Sequence, residues 1–299
     1  MLARLQSVMA EFEIFADARR FRGAIEELVD RDPVGATMLT GVLSNTIAEP
    51  APGEAPLLVC LSDVDGPLVA AMRVPGFPLL TVADPDVRDL PATLRTFAGA
   101  VVGTGADVIG LQGRREVVRQ LATAWVERTG VSAAPRMWSL FYRLRELVEP
   151  PGVPGAPRGL NPDDPADVAL VAQWLARFRQ ETAVSRRPPV PDPDGLLRNL
   201  RRGERFTLWC LGAVPVAVAG HSPLRVDGCR IAPVYTPPDR RRERFGAAVT
   251  AAAVRSAWAL GAEQVTLFTD ENYLPSNELY RSLGFEPIAE FAEFDIASG

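Results

Sequence analysis

Residues 234–247 read VYTPPDRRRERFGA, in which a β-branched and aromatic run ends at two prolines and four arginines crowd five positions before a glycine. An apolar, alanine-rich run follows to about Leu260, and Gly261 then stands where helix C-termini favour glycine. The pattern predicts a strand and then a helix whose first turn, residues 241–246, is rich in arginine. The first N–H groups of a helix have no intrahelical partner and carry partial positive charge, so the turn is predicted to bind an anion.

A second informative segment is residues 276–285, which read SNELYRSLGF. It follows an alternating, β-branched run at residues 264–269 that predicts a strand. The segment itself predicts a short helix over 276–282, closed by Gly284, and a last strand over 285–296. Upstream, spacing and capping residues predict helices over 165–180 and after 192–194, and strands over 204–211, 214–220 and 230–236.

The two segments, in this order, resemble the cofactor motifs of the GNAT N-acetyltransferase superfamily. In that superfamily a strand leads to R/Q-x-x-G-x-G/A at the start of the main helix. Arg241 fills the first position and Gly246 the last, while Arg244 stands where the superfamily has glycine. The match covers about residues 215–294. It implies an α/β (α+β) fold, with a mixed, mostly antiparallel twisted sheet flanked by helices, and acetyl-CoA as cosubstrate.

The resemblance also implies roles for single residues. The backbone of the strand end would pair with the pantetheine arm and polarise the acetyl carbonyl, and the arginine-rich turn would hold the pyrophosphate. Tyr280 would protonate the departing thiolate. That transfer costs only about 2 kcal/mol, because a tyrosine pKa of about 10 exceeds a thiol pKa of about 8.5 by about 1.5. The predicted cofactor-binding residues are Val234, Tyr235, Thr236, Arg241, Arg242, Arg244, Phe245, Gly246, Ala247, Ser276 and Asn277.

An amine acceptor also needs a base. An alkylamine with a pKa of about 10.4 is protonated at pH 7, and making it nucleophilic costs about 4.6 kcal/mol. A base or water relay is therefore expected near the acyl group. The candidates, chosen by their strand-end positions, are His221, Asp270, Glu271 and Tyr235, and the sequence leaves the choice open.

Residues 149–157 form the densest proline and glycine segment, where neither a helix nor a central strand can persist. We place a domain boundary there. The run PVYTPP at residues 233–238 and the long upstream half resemble a group of bacterial tandem GNAT proteins, in which a degenerate GNAT-like domain precedes an active one. The resemblance implies that residues 1–150 are a degenerate GNAT-like domain, and residues 158–299 the acetyltransferase domain with the acetyl-CoA site.

The first half of the chain echoes the second, as a diverged duplication would, although coincidence between ordinary strand and helix-end patterns is the alternative. Where the second half has its arginines, the first has residues 84–89, DPDVRD, which are acidic and would repel phosphate. The first copy is therefore predicted to be inactive, and to shape the acceptor cleft or an oligomer interface such as that of a homodimer. The matched segments are 58–61 with 208–211, 67–71 with 215–219, and 105–111 with 261–267.

Composition argues against several classes of protein. All 32 basic residues are arginine and His221 is the single histidine, which excludes a Schiff-base lysine, a phosphate-loop GKS/GKT and a histidine cluster for metal. Three cysteines without CxxC spacing indicate no zinc site, and a formal charge of -5 argues against nucleic-acid binding. Apolar runs stay well short of the roughly 20 residues of a membrane span. We therefore expect a cytoplasmic protein without metal or membrane partners.

Three functions follow as hypotheses. The first is transfer of an acetyl group from acetyl-CoA to a primary amine of a small molecule or peptide, by direct attack in a ternary complex. The second is a catalytically weak acyl-CoA sensor or scaffold. Two departures from the motifs would favour it: Arg244, and the misplacement of Asn272, since the superfamily often has an asparagine a few residues before the serine and Tyr273 interrupts that alignment. The third is transfer of a longer acyl chain. The acceptor itself is not identified by these motifs.

Overall fold

The structure is a computed structural model that describes residues 10–48, 54–182, 189–225 and 228–297. It divides into two compact units. The first unit contains residues 1–139 and 289–299, and the second contains residues 140–288.

The first unit carries two layers of helices on a sheet. Its sheet has the order β1-β2-β3-β4-β5-β12-β6, in which β4 and β5 are parallel while β1 to β4 and the β5/β12 pair are antiparallel. Its elements are β1 (Glu11–Ile14), α1 (Ala18–Ala24), α2 (Glu26–Arg31), α3 (Pro33–Ala48), β2 (Leu57–Asp63), β3 (Gly66–Arg73), β4 (Leu79–Ala83), α4 (Leu90–Gly103), β5 (Gly110–Arg114), α5 (Arg115–Thr129) and β6 (Ala133–Leu144).

The second unit has the same plan. Its strand order is β6-β11-β10-β9-β8-β7, with β10 and β11 parallel and β7 to β10 antiparallel. The residues of β6 and β12 are shared between the units. The remaining elements are β7 (Ala156–Gly159), α6 (Pro165–Glu181), α7 (Pro193–Arg201), β8 (Arg205–Leu211), β9 (Val214–His221), β10 (Cys229–Tyr235), α8 (Phe245–Ala259), β11 (Val265–Asp270), α9 (Leu274–Ser282) and β12 (Phe285–Ile296).

The core of the second unit follows from alternation along its strands. On β8, Phe206 and Leu208 pack with α6 and α7, whereas Trp209 points to the opposite face, where α8 lies. Because α8 is apolar and alanine-rich on all sides, it is buried almost throughout its length. The predicted α/β fold, with mixed and mostly antiparallel sheets flanked by helices, is confirmed.

Local sequence signals explain where most helices begin. The Asp164 and Asp192 side chains accept backbone N–H bonds at the starts of α6 and α7, as the capping patterns predict. Two boundaries differ. Helix α9 begins two residues early, at Leu274, with Pro275 in its first turn. Helix α8 begins only at Phe245, because the arginines before it form a turn instead of a helix.

The two units repeat one order of elements, in which an antiparallel meander is followed by a helix and a parallel strand. Their limits differ from the sequence segments 1–150 and 158–299. The assignment of those two segments as duplicated domains stays a prediction.

Gly284 is the residue whose replacement tests this packing most simply. It has a φ of +88°, and a Cβ there would lie 1.9 Å from the main-chain oxygen of Glu146. Gly284→Ala is expected to lower the free energy of unfolding by about 1–3 kcal/mol more than Gly212→Ala. Gly212 is the matched control, because its φ of +58° is also left-handed but open space surrounds it. Urea denaturation checks the difference, and equal losses would contradict the packing described.

Candidate functional site

The candidate site begins where β10 leaves β11. Their parallel ladder consists of two pairs, Cys229 with Val265 and Arg230 with Thr266. On its other edge β10 pairs with β9 through a register shift, in which the step from Ile231 to Val234 spans one residue more than the facing step on β9. A bulge of this kind bends a strand and redirects it. The β10 backbone after Arg230 is therefore outside the β11 ladder, and its edge is available to another partner.

The turn after β10 presents the start of α8. This arginine turn, residues 237–244, contains a short 3-10 helix followed by Arg242 and Arg244 in left-handed conformations, with φ of 67° and 65°. Arg244 is the N-cap residue of α8, and no side chain caps the helix through it. Backbone N–H groups in turns of this kind form an anion-binding concavity, which the helix dipole reinforces.

The left-handed backbone at Arg244 shows why glycine suits this motif position and what arginine costs there. Arg244 stands where the superfamily has glycine, and an L-residue in this conformation costs roughly 1–2 kcal/mol. Its guanidinium donates to the main-chain oxygen of Pro151 at 3.0 Å. The glycine at the other motif position permits close packing, since a Cβ on Gly246 would lie 3.2 Å from Leu279 Cδ1, which is tighter than an ordinary contact, and 3.5 Å from Thr236 Oγ1. The structure thus brings both motif segments together around Gly246.

Arg241 is held by the protein. Its Nε donates to the Thr236 main-chain oxygen at 3.0 Å, and its guanidinium forms an ion pair with Glu181 and lies 5.9 Å from the ring centre of Tyr235. The Tyr235 hydroxyl donates to the same Glu181 carboxylate at 3.1 Å. Burial, together with the Glu181 charge, raises the pKa of Tyr235, so the hydroxyl remains a donor. Glu181, the last residue of α6, is a contact that no sequence motif indicated.

Tyr280, on α9, is buried among aromatic side chains. Its side chain is only 9% exposed and packs against Tyr142 and Phe285, with ring centres 6.5 and 6.0 Å away. Burial raises the pKa of Tyr280 above its usual range. The phenol therefore keeps its proton near neutral pH, and full transfer of that proton to a thiolate costs more than the roughly 2 kcal/mol expected for an unperturbed tyrosine.

Asn277 braces the turn between β11 and α9. Its Nδ2 donates to the main-chain oxygens of Asp270, Glu271 and Tyr273, at 2.8, 3.3 and 3.0 Å, and its Oδ1 accepts from the Tyr142 hydroxyl at 2.9 Å. The amide is thus engaged with the protein, and its predicted contact with the cofactor stays a prediction. Ser276 is partly exposed beside it. Tyr142, from β6, was not predicted, because only the fold brings it to this turn.

Of the four candidate bases, Tyr235 donates its hydroxyl proton to Glu181, and the other three lie in different places. His221 is 1% exposed, with Nδ1 2.9 Å from the Ser222 main-chain oxygen and Nε2 3.2 Å from Ser256 Oγ. Burial lowers the pKa of His221. Ser256 lies eleven residues into α8, about 16 Å from the arginine-turn end. The structure therefore places His221 away from that turn. Asp270 is the last residue of β11 and Glu271 follows it, and the main-chain oxygens of both accept from Asn277.

The corresponding region of the first unit is built differently. The β4/β5 ladder runs on through Thr81 and Gly113, where a Cβ on Gly113 would lie 2.4 Å from the Thr81 main-chain oxygen. The residue before α4, Asp89, caps the helix, since its carboxylate accepts from the Ala92 N–H at 2.9 Å. Asp84, also in the acidic segment, pairs with Arg31. In the described part of this unit, the parallel ladder thus extends to within two residues of the end of β4, and the helix end is occupied by a carboxylate.

Comparison with known proteins agrees with this geometry. Residues 170–285 match the acetyltransferase (GNAT) family. The chain carries a GNAT acetyltransferase domain. That domain contains β10, the arginine turn, α8 and α9. No curated protein sequence matches the chain.

Solved structures extend the similarity in fold to nearly the whole chain. A GCN5-related N-acetyltransferase from Kribbella flavida is 23% identical and covers 89% of this chain and 96% of its own, with a TM-score of 0.54. A tandem GNAT protein from the clavulanic acid biosynthesis pathway is 12% identical and covers 97% of this chain and 99% of its own, with a TM-score of 0.64. A GCN5-related N-acetyltransferase from Sphaerobacter thermophilus is 16% identical and covers 97% of this chain and 95% of its own, with a TM-score of 0.61. The fold of the chain fits the tandem GNAT type.

Two further searches concern partners. In the ranges that the structure describes, no helix is both long and apolar enough to cross a bilayer. Among the same residues, no three His, Cys, Asp or Glu side chains gather as ligands for a metal ion.

The Asn277 brace gives a prediction for stability. Tyr142→Phe removes the hydroxyl and leaves the buried Asn277 Oδ1 without that donor, so we expect a loss of about 1–3 kcal/mol in unfolding free energy. Ser282→Ala is the control, because it removes a 2.7 Å bond to the Leu279 main-chain oxygen at an exposed position. Its expected loss is about 0.5 kcal/mol or less. Urea denaturation measures both, and similar losses would contradict the brace.

Proposed function

We propose that the second unit transfers an acetyl group from acetyl-CoA to a primary amine of a small molecule or peptide. The observation that carries the proposal is the juxtaposition of an unpaired β10 edge, an uncapped α8 start and the Tyr280-bearing α9 around Gly246. Each of these features would contact a different part of the cofactor.

The chemistry of the cofactor fits these residues. Residues 231–235 offer backbone groups to an extended amide chain, as pantetheine is, in the manner of an added strand. The amides of residues 244–247 and the neighbouring arginines offer donors and positive charge to the pyrophosphate. Acetyl-CoA supplies an activated thioester, and the β10 backbone would polarise its carbonyl.

Direct attack is the proposed course of the reaction. The amine nitrogen adds to the thioester carbon, the carbon–sulfur bond breaks, and the thiolate takes a proton from Tyr280. A covalent acyl-cysteine has little support, because Cys210 and Cys229 are buried in the core of this unit. We propose Asp270 or Glu271, acting directly or through water, to receive the proton of the amine, ahead of His221, which is buried and has a hydrogen-bond partner at each ring nitrogen.

The first unit is proposed to leave catalysis to the second. Its paired strands and acid-capped helix lack the openings that the cofactor would use. Its role in shaping the acceptor cleft or a homodimer interface, and the cytoplasmic location, stay predictions.

A thiol-release assay tests the proposal. Acetyl-CoA is incubated with a panel of primary amines, and free CoA is measured as thiol. At least one amine is expected to give turnover, and Tyr280→Phe is expected to lower kcat about 10²-fold, because the thiolate loses its acid. The CoA dissociation constant of Tyr280→Phe should stay within about twofold of the wild-type value. Tyr273→Phe, on a half-exposed ring beside the same helix, is the control and should keep kcat.

CoA binding without turnover for every amine, together with a CoA affinity that Tyr280→Phe leaves unchanged, would instead support the sensor hypothesis. Affinity that rises steadily with acyl chain length would support transfer of a longer chain.

A pair of variants separates the backbone of Arg244 from its charge. Arg244→Gly and Arg244→Val both remove the guanidinium, but valine disfavours the left-handed conformation that glycine adopts freely. We therefore expect CoA to bind Arg244→Gly about tenfold more tightly than Arg244→Val, from a difference of about 1–2 kcal/mol. Isothermal titration calorimetry measures both constants. Equal weakening in both variants would show that the Arg244 side chain, and not the turn, holds the phosphate.

A further inference from the structure

Glu181 joins α6 to the cofactor segment through both of its carboxylate oxygens. Oε1 accepts from the Tyr235 hydroxyl at 3.1 Å, and Oε2 pairs with the Arg241 guanidinium. Both partners lie in residues 234–247. A carboxylate from outside that segment therefore contacts it at two points.

The contact with Arg241 is accessible to a ligand. The side chains of Arg241 and Glu181 are 38% and 39% exposed. An ion pair between exposed side chains is weak, typically no more than about 1 kcal/mol, so a stronger anion can displace its acid. The hydrogen bond between Glu181 and Tyr235 is less accessible to a ligand, since Tyr235 is 4% exposed and the centre of its ring lies 6.3 Å from that of Trp174.

Charge explains why a carboxylate is present here. Four arginines lie within residues 240–244, and their mutual repulsion is relieved by nearby anions. The turn itself contains Asp239, which lies 3.7 Å from Arg240, and Glu243, and Glu181 supplies a further negative charge from α6. These charges would oppose an incoming phosphate.

We infer that Glu181 is the internal counter-anion of the arginine turn, and that a phosphate of CoA displaces it from Arg241 on binding. The inference rests on the proposed function. Glu181 is then a positioning residue. It stabilises the arginine turn when no cofactor is bound, and it lowers the affinity of the site for CoA. Binding exchanges one anion for another on Arg241 and frees the end of α6 from the turn.

Calorimetric titration of CoA into Glu181→Gln tests the inference. Glutamine keeps the shape and an acceptor for Tyr235 but removes the competing charge. CoA is expected to bind this variant about threefold to tenfold more tightly than the wild type at low salt. The gain should shrink at 0.5 M NaCl, where exposed charges are screened.

Two further variants control the experiment. Glu149→Gln removes the acid of the exposed Glu149–Arg255 ion pair in the same unit, and its CoA affinity should stay within about twofold of the wild type. Glu181→Asp keeps the charge but withdraws it by one methylene, so its affinity should lie between those of the wild type and Glu181→Gln. This variant also carries the test if Glu181→Gln does not fold.

The outcomes separate the inference from the proposed function. Glu181→Gln that binds CoA no more tightly than the wild type, while the wild type does bind, overturns the counter-anion and leaves the cofactor site intact. A wild type that binds no CoA at millimolar concentration overturns both.

Discussion

The site depends on the early parting of two parallel strands. Strands β10 and β11 share two residue pairs, and the bulge between Ile231 and Val234 then carries β10 away. That parting frees a backbone edge, sets the direction of the arginine turn and places α8 against α9 at Gly246. The same pair of strands in the first unit stays paired through Thr81 and Gly113. The β4/β5 ladder thus ends two residues before the end of β4, whereas the β10/β11 ladder ends five residues before the end of β10, and this longer stretch outside the ladder is where we propose that the cofactor binds.

Electrostatics completes this distinction. In the first unit, Asp89 caps α4 with its own carboxylate, which satisfies the helix end and repels other anions. In the second, α8 starts from a left-handed Arg244 without a side-chain cap, and the balancing acid comes from Glu181 at the end of another helix. An acid that caps a helix from its own sequence is a fixed part of the turn. An exposed acid that arrives from a separate helix can be exchanged for a phosphate.

Most elements were predictable because their signals are local. The Asp164 cap, the alternation along β8 and the glycine after α8 act within a few residues, and the corresponding elements lie where the sequence predicts them. Glu181 and Tyr142 were missed because their partners are 54 and 135 residues away, and only the packed sheet brings them together. The left-handed turn at Arg244 was missed for another reason, since arginine gives no signal for a conformation that glycine normally marks.

A crystal structure of the chain with acetyl-CoA tests the central claim most directly. The pyrophosphate is expected within hydrogen-bond distance of the backbone amides of residues 244–247, with pantetheine along residues 231–235 and Glu181 withdrawn from Arg241. A complex formed at saturating acetyl-CoA in which the arginine turn is empty, or in which the cofactor lies in the first unit, would contradict it.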